Sequence, residues 1–530
     1  MRLNRPLIAA SLLIAAASPT RAAVSPDQAK SIEGQLQTWY ATTFDKPAKP
    51  GVRAVQVEPA GDRYNITIPL GLKGPGATPL AATMLANPAE NGRWVFDSLR
   101  FPQPFDYSTT ITPQKPAAGQ KGAAKEADVP MAVHTTITVA SQDGSGVWDP
   151  TFATPSTFKQ TLGGVVSIST SSPMMSARGN SADTAADTIT QQNTVERSVT
   201  ETTLTPNGRD KVDIAAVENL TGYGQQMKAK DGPVLDLKAK AVAAAINVNA
   251  VSRERGIEVM RAMSDLFSAG IPGVNMGGAA GSGAAQVDAK LSPAAFAALR
   301  RIVAALPDLG TGIVVDESVT DLSITTDGKS FAAAKLGFGA TMKSTAGAVQ
   351  AAMGFAADGL VWPEFGMGDM EQLLPKHVML RPTVSGISGQ DLADILLATV
   401  DAGQSGKPGP GDAALKTRLL SHGATIGIEA LEFDTAGATI SATGKISIQG
   451  GPGGAPRAQD GSAHIVAHDL DKLTAVVAAA PMLAQGLPAI VFLKGLAKQA
   501  EGDMVWDVTF DGAKLAVNGT DMSAMMGGAR

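Results

Sequence analysis

Thr425-Ile426-Gly427-Ile428-Glu429-Ala430-Leu431-Glu432-Phe433-Asp434 decides how this chain is read. Ile426, Ile428 and Ala430 alternate with polar residues, and Leu431 and Phe433 resume the alternation after a phase slip between Ala430 and Leu431. Period-two alternation predicts a strand, and the slip predicts a bulge or bend. After the turn-like Asp434-Thr-Ala-Gly437, Ala438, Ile440, Ala442, Ile446 and Ile448 keep one parity, which predicts a hairpin with one apolar face. A Gly/Pro loop from Gly450 to Gly461 leads to a strand at Ala463–Ala467. Leu470, Leu473, Val476, Val477 and Ala480 follow at helical spacing. Pro488 then starts a second helix, with Ile490, Leu493 and Ala497 on one side and Lys494 and Lys498 on the other. Met504, Trp506, Val508 and Phe510 form the closing strand, turned at Asp511-Gly512 toward Leu515 and Val517.

An earlier segment has the same order. Pro293 opens a helix bearing Phe296, Leu299, Val303 and Leu306, with Ser292 as its cap, and the helix precedes Gly312-Ile-Val-Val as Leu415–Leu420 precedes Gly423-Ala-Thr-Ile. Asp321–Gly328 matches Leu431–Gly437, and Ala346–Gly359 matches Gly461–Asp471. The offset of ~110 residues exceeds solenoid periods and suggests domain-sized duplication, although any two helix-plus-meander segments share this order.

The chain has 530 residues, 44% hydrophobic and 18% charged, which describes a folded chain with room for several cores. Aromatic content of 5% suits packing by small residues better than deep aromatic pockets. The N-terminus combines Arg2 and Arg5, an apolar run from Leu7 to Ala17, and a Thr20-Arg21-Ala22 cleavage site. This pattern predicts a cleavable secretory signal over residues 1–22 and a periplasmic destination. Its apolar run is shorter than the roughly 20 residues a membrane span needs. Removing the signal changes the formal charge from −5 to −8, since residues 1–22 hold three arginines and no acid. A net acidic product without a basic patch argues against nucleic acid as a partner. With no cysteine, the exported chain relies on its cores and not on disulfides. No further apolar run reaches spanning length, and few aromatics with interrupting helices argue against an outer-membrane barrel.

Composition and punctuation predict six segments. They are the signal (1–22), an α+β region (23–112) opened by Ser25, Pro26, Ala29, Ile32, Leu36 and Trp39, a Pro/Lys/Gly/Ala linker (113–128), a Ser/Thr-rich β domain with a C-terminal helix (129–284), and two helix-plus-meander modules (285–410 and 411–530). The expected fold class is α+β, mostly antiparallel β-sheet with amphipathic helices packed on it, elongated, with duplicated modules as one reading.

Of His134, His377, His422, His464 and His468, only the last pair is close, and four residues apart on a strand is too far for easy chelation. Asp327-Gly-Lys-Ser330 and Gly444-Lys445 lack the glycine spacing of a phosphate loop and read as turns between strands. Gly386-Ile-Ser388-Gly389-Gln390 breaks the nucleophile-elbow pattern, and Ser388 with Asp391 reads as a helix cap. Asp316 with Glu317, Glu364, and Asp369 with Glu371 are carboxylates that a glycosidase pair would need, but adjacent acids on a strand point to opposite faces. Asn65, Asn219 and Asn518 begin glycosylation-type triplets, relevant only in a eukaryotic host. Met174, Met175, Met260, Met263, Met367, Met370 and the Met522–Met526 cluster suit variable apolar ligands or ordinary core filling. No residue therefore carries a catalytic, cofactor-binding or metal-binding pattern, and the ligand-binding residues stay open.

The strand, turn and return of Gly423–Ile448, and the closing Trp506-Asp-Val-Thr-Phe-Asp-Gly512 with Leu515-Ala-Val-Asn518-Gly519, resemble uncharacterised proteobacterial envelope proteins of the YdgA-like and AsmA-like kind. The resemblance covers residues 290 to 525. It implies a periplasmic, repeat-built sheet that handles lipids, with no catalytic residues to carry over. The absence of a retained N-terminal anchor departs from the AsmA-like pattern. The expected function is a non-enzymatic envelope factor whose partner is a lipid or an envelope protein. Two alternatives stay open: a hydrolase assembled from dispersed loops, and a secreted adhesin or matrix protein.

Overall fold

The computed structural model describes residues 24–44, 55–73, 79–111, 131–152, 154–173, 188–229, 232–252, 254–256, 258–259, 262, 293–305, 312–345, 348–366, 368–405, 423–435, 437–450, 456–479, 487–512 and 514–523. The signal peptide, the linker, the Gly/Ala run near Gly277 and His422 lie outside them. Among the described residues, antiparallel sheet dominates and a few helices accompany it, which is the expected α+β class. None of these helices is long and apolar enough to cross a membrane.

The chain forms two compact units, residues 1–177 with 199–203, and residues 178–198 with 204–530. In the first, α1 (Pro26–Phe44) precedes β1 (Gln56–Ala60), β2 (Arg63–Lys73), β3 (Pro79–Pro88), β4 (Trp94–Arg100), β5 (Phe105–Ile111), β6 (Met131–Asp149) and β7 (Thr154–Pro173). Ser25 caps α1 by accepting a hydrogen bond from Gln28 N at 3.2 Å. Ala29, Ile32, Leu36 and Tyr40 form its buried stripe, with Trp39 partly buried beside it. The expected boundary at 113–128 does not divide the units, because β6 is long enough for two neighbours on one edge. Its start pairs with β5 and its end with β4. That end places Trp148 against Trp94 with ring centroids 5.1 Å apart and against Trp39 at 6.1 Å. Gly146 makes room for this core, since a Cβ there would lie 2.5 Å from the Phe96 ring.

The second unit is a meander of long strands, each paired with the next long strand in the chain. It runs β9 (Lys211–Ala229), β10 (Gly232–Ser252), β11 (Gly312–Thr326), β12 (Lys329–Thr345), β13 (Ala348–Asp358), β14 (His377–Ser388), β15 (Ala424–Asp434), β16 (Thr439–Gly450), β17 (Pro456–His468) and β19 (Asp503–Phe510). Before it comes β8 (Ile189–Asn207), of which residues 199–203 go with the first unit. The outer edge of β19 is shared by β18 (Lys498–Ala500) and β20 (Leu515–Val517), and β21 (Thr520–Asp521) follows. The two expected helix-plus-meander modules share one ladder here, joined by β14 and β15.

Among the helices that accompany these strands are α2 (Pro293–Ala305), α3 (Gly389–Ser405), α4 (Leu470–Ala479) and α5 (Leu487–Leu496). Ser388 and Asp391 form the expected cap of α3, with Asp391 N donating to Ser388 Oγ at 3.1 Å and that hydroxyl donating to the Asp391 carboxylate at 2.7 Å. The phase slip in β15 is a bulge. Ile428 faces Gly444 and Leu431 faces Ala442, so two β15 residues, Glu429 and Ala430, lie across from Thr443 alone. Against β14 the extra residue is Glu429.

Candidate functional site

Directly opposed residues of an antiparallel ladder point to the same side, so the register traces rows across the second unit. One row runs Phe338, Phe355, Leu380, Leu431, Ala442, Ile465 and Trp506, from β12 to β19. The next contains Pro382, Ile428, Gly444, Ala463 and Val508, and the next Val384, Ile426, Ile446, Gly461 and Phe510. The bulge at Glu429 is what keeps Ile428 on the same side as Leu431. This face is therefore apolar across seven strands.

Among the described residues, helices cover only part of it. Leu470 and Leu473 of α4, with Leu496 and Ala497 at the end of α5, pack on Ala467, Ile440, Ile465, Met504 and Trp506. Away from those helices the side chains stay open to solvent, from 36% exposed at Ile446 to 52% at Met353, with Phe338, Phe355, Leu380, Ile426 and Ile428 between. Contiguous exposed apolar surface of this kind marks a binding face more often than scattered single residues do. Within it lies a depression of about 310 Å³ lined by Ile426, Ile428, Ile446, Val508 and Phe510. Gly444 and Gly461 make its floor: a Cβ at Gly444 would lie 2.9 Å from Ser462 O, and one at Gly461 3.4 Å from Ile446 Cγ1.

The opposite face is ion-paired. Arg381 Nε lies 3.0 Å from Glu429 Oε2, and His377 bridges Asp358 at 2.5 Å and Glu432 at 3.2 Å. His464 pairs with Asp507 at 2.8 Å and His468 with Asp503 at 2.6 Å. The hydrogen bond to Asp503 and the charge of Asp469 hold the His468 pKa above its ordinary value. His464 and His468 share a strand face, as expected, but each is satisfied by its own carboxylate on β19. A shallow groove of about 500 Å³ also lies on this side, where Gly337, Gly339 and Gly354 stand between Asp316, Lys335 and Arg381.

The remaining sequence candidates have structural settings. Asp327-Gly328 turns β11 into β12 as predicted, whereas Gly444-Lys445 is not a turn but the middle of β16, its glycine forced by the close approach of β17. Asp316 and Glu317 oppose Gly339 and Phe338 and so point to opposite faces. Glu371 accepts the backbone N–H groups of Phe365 and Gly366, both at 3.0 Å. Asn518 donates to Leu496 O and Val505 O at 2.7 and 2.9 Å. Its amide is engaged inside the fold. The helix expected to carry Ala497 and Lys498 ends at Leu496, and Lys498 begins β18. Val491, Phe492 and Leu493 of α5 are 60, 46 and 51% exposed, although Trp506 Nε1 anchors the Leu493 carbonyl at 2.8 Å. Met174, Met175, Met260, Met263, Met367, Met525 and Met526 lie outside the described residues. Among the described residues, Met353 is exposed on the apolar face, a methionine that the sequence reading did not single out.

The first unit holds one further constellation that sequence reading missed. Ser108 Oγ lies 3.1 Å from His134 Nδ1, and His134 Nε2 lies 3.2 Å from Asp106 Oδ1. Its signal is the register of β5 on β6, which opposes Ser108 to His134 and Asp106 to Thr136. Among the described residues, no three His, Asp or Glu side chains stand close enough to hold a metal ion. No protein-family model, curated protein or solved structure matches the chain.

Proposed function

We propose that this chain is an exported, periplasmic envelope protein that binds a linear apolar ligand, an acyl chain, along the open face of its second unit. The observation that carries the reading is the row of exposed Ile, Phe, Leu and Met side chains converging on the glycine-floored depression. The signal-peptide pattern of residues 1–22 and the resemblance to envelope proteins support the location. Binding of this kind needs no catalysis by that face.

Physical chemistry sets its strength. Each methylene removed from water contributes about 0.8 kcal/mol. A chain of about sixteen carbons lying half-sunk in an open trough gains about 6 kcal/mol, which corresponds to tens of micromolar. Native mass spectrometry and organic extraction of the mature protein from a periplasmic fraction test the reading. Lipid retained at defined stoichiometry is expected, and Ile428→Asp should weaken uptake of added phospholipid by about tenfold or more while leaving the melting temperature nearly unchanged. A clean apo mass with no uptake of phospholipid would sink acyl-chain binding and make an envelope protein the occupant of that face.

A further inference from the structure

A second chemistry, independent of the apolar face, is built on β5 and β6. We propose that Ser108, His134 and Asp106 form a nucleophile–base–acid relay on an exposed face of the first unit, acting on small acyl esters. Asp106 and Ser108 are two residues apart and share one side of β5, and their partners Thr136 and His134 share the same side of β6. The imidazole therefore lies between a hydroxyl and a carboxylate, 3.1 Å from one and 3.2 Å from the other. The first is the separation a general base needs to take a serine proton, and the second brings a carboxylate close enough to stabilise the imidazolium that forms. With Nδ1 as the acceptor of the Ser108 proton, Nε2 carries its hydrogen on the side shared by Asp106 and by Thr136, whose Oγ1 lies 3.5 Å from that nitrogen.

The carboxylate is the informative member. Asp106 Oδ1 is shielded from water and has no aligned hydrogen bond, although it stands within ion-pair distance of His134 Nε2. The distance is satisfied and the angle is not. A shielded, unsatisfied oxygen gains most from a positive charge placed beside it, and such a charge forms when His134 takes the Ser108 proton. Beside the relay, Ile168 is 41% exposed and opposes Thr136 on β7, offering an apolar rest for a short acyl group. The open setting suits small, unhindered esters.

The step balances with water alone. Ser108 Oγ bonds to the acyl carbon as its proton passes to His134, the ester C–O bond breaks, and the alcohol leaves with that proton. Water then attacks the acyl-serine, gives a proton to His134, and the acid leaves as Oγ regains its hydrogen.

A fluorophosphonate probe tests the relay on the full chain: an Oγ–P bond forms, fluoride leaves, and the serine proton passes to His134. Peptide mapping should place the adduct on Ser108, with labelling slowed about a hundredfold by His134→Gln. The chain contains no cysteine, so Ser108→Cys introduces a unique thiol and an independent readout. Iodoacetamide should alkylate it about tenfold faster than in the double variant that adds His134→Gln, as expected for a thiolate generated by an adjacent base. An adduct elsewhere, no adduct, or alkylation rates indifferent to His134 would overturn the proposal.

Discussion

Asp149 shows what one buried charge does in this fold. Its side chain is 3% exposed and lies 2.9 Å from Arg93 Nε, and it accepts a hydrogen bond from Thr151 N at 2.9 Å. Burial pushes its carboxyl upward, but the Thr151 hydrogen bonds and the Arg93 guanidinium outweigh that, and the pKa falls below the ordinary 3.8. A depressed folded-state pKa stabilises the protein above the unfolded value, and the stabilisation disappears as pH falls through the folded one. Acid titration of the first unit, followed by tryptophan fluorescence, should therefore show a loss of stability below about pH 4. Asp149→Asn should flatten that part of the curve. At this scale the sequence was legible where the chemistry is local. Ser25 and Ser388 were recognisable as caps because a cap involves residues two or three apart. The Ser108–His134–Asp106 cluster was not, because 19 residues, 112–130, separate β5 from β6 and nothing in the alternation of either strand fixes their register.

Among the elements, β15 is the informative one. Its phase slip was visible in the letters, and the structure turns it into the bulge that holds Ile428 and Leu431 on one side. Deleting Glu429 should force one half of the strand to put its apolar set on the ion-paired face and remove the partner of Arg381. The expected outcome is a loss of several kcal/mol in a urea melt together with loss of acyl-chain uptake. Retention of both would mean that the bulge does not set the face. Alternation also had a limit here. It reported which residues share a side, but not whether a second layer covers them, because coverage depends on where α4 and α5 land. For the same reason α5 read as amphipathic, while in the fold Leu493 has its carbonyl anchored and its side chain exposed.

Taken as a whole molecule, the chain divides its labour between separate cores. The tryptophan-rich cluster of Trp94 and Trp148 belongs to the first unit, and Trp506 with Leu470 and Ala467 to the second. Trp148→Ala should destabilise the first unit by about 3–5 kcal/mol, giving an early transition in calorimetry, while uptake of phospholipid by the second unit persists. Loss of both together would show that the units do not unfold separately. Composition foresaw several cores without disulfides, but not their boundary, because a linker-like stretch such as 113–128 says nothing about strands that pair across it.

Strand order in the second unit follows chain order from β9 to β17, and this has a kinetic meaning. Every pairing joins a strand to the one before it in the sheet, the longest connection being residues 253–311 between β10 and β11, and the entropic toll of loop closure grows only slowly with such length. The second unit can thus add its sheet one strand at a time in chain order, with each finished strand serving as the template for the next.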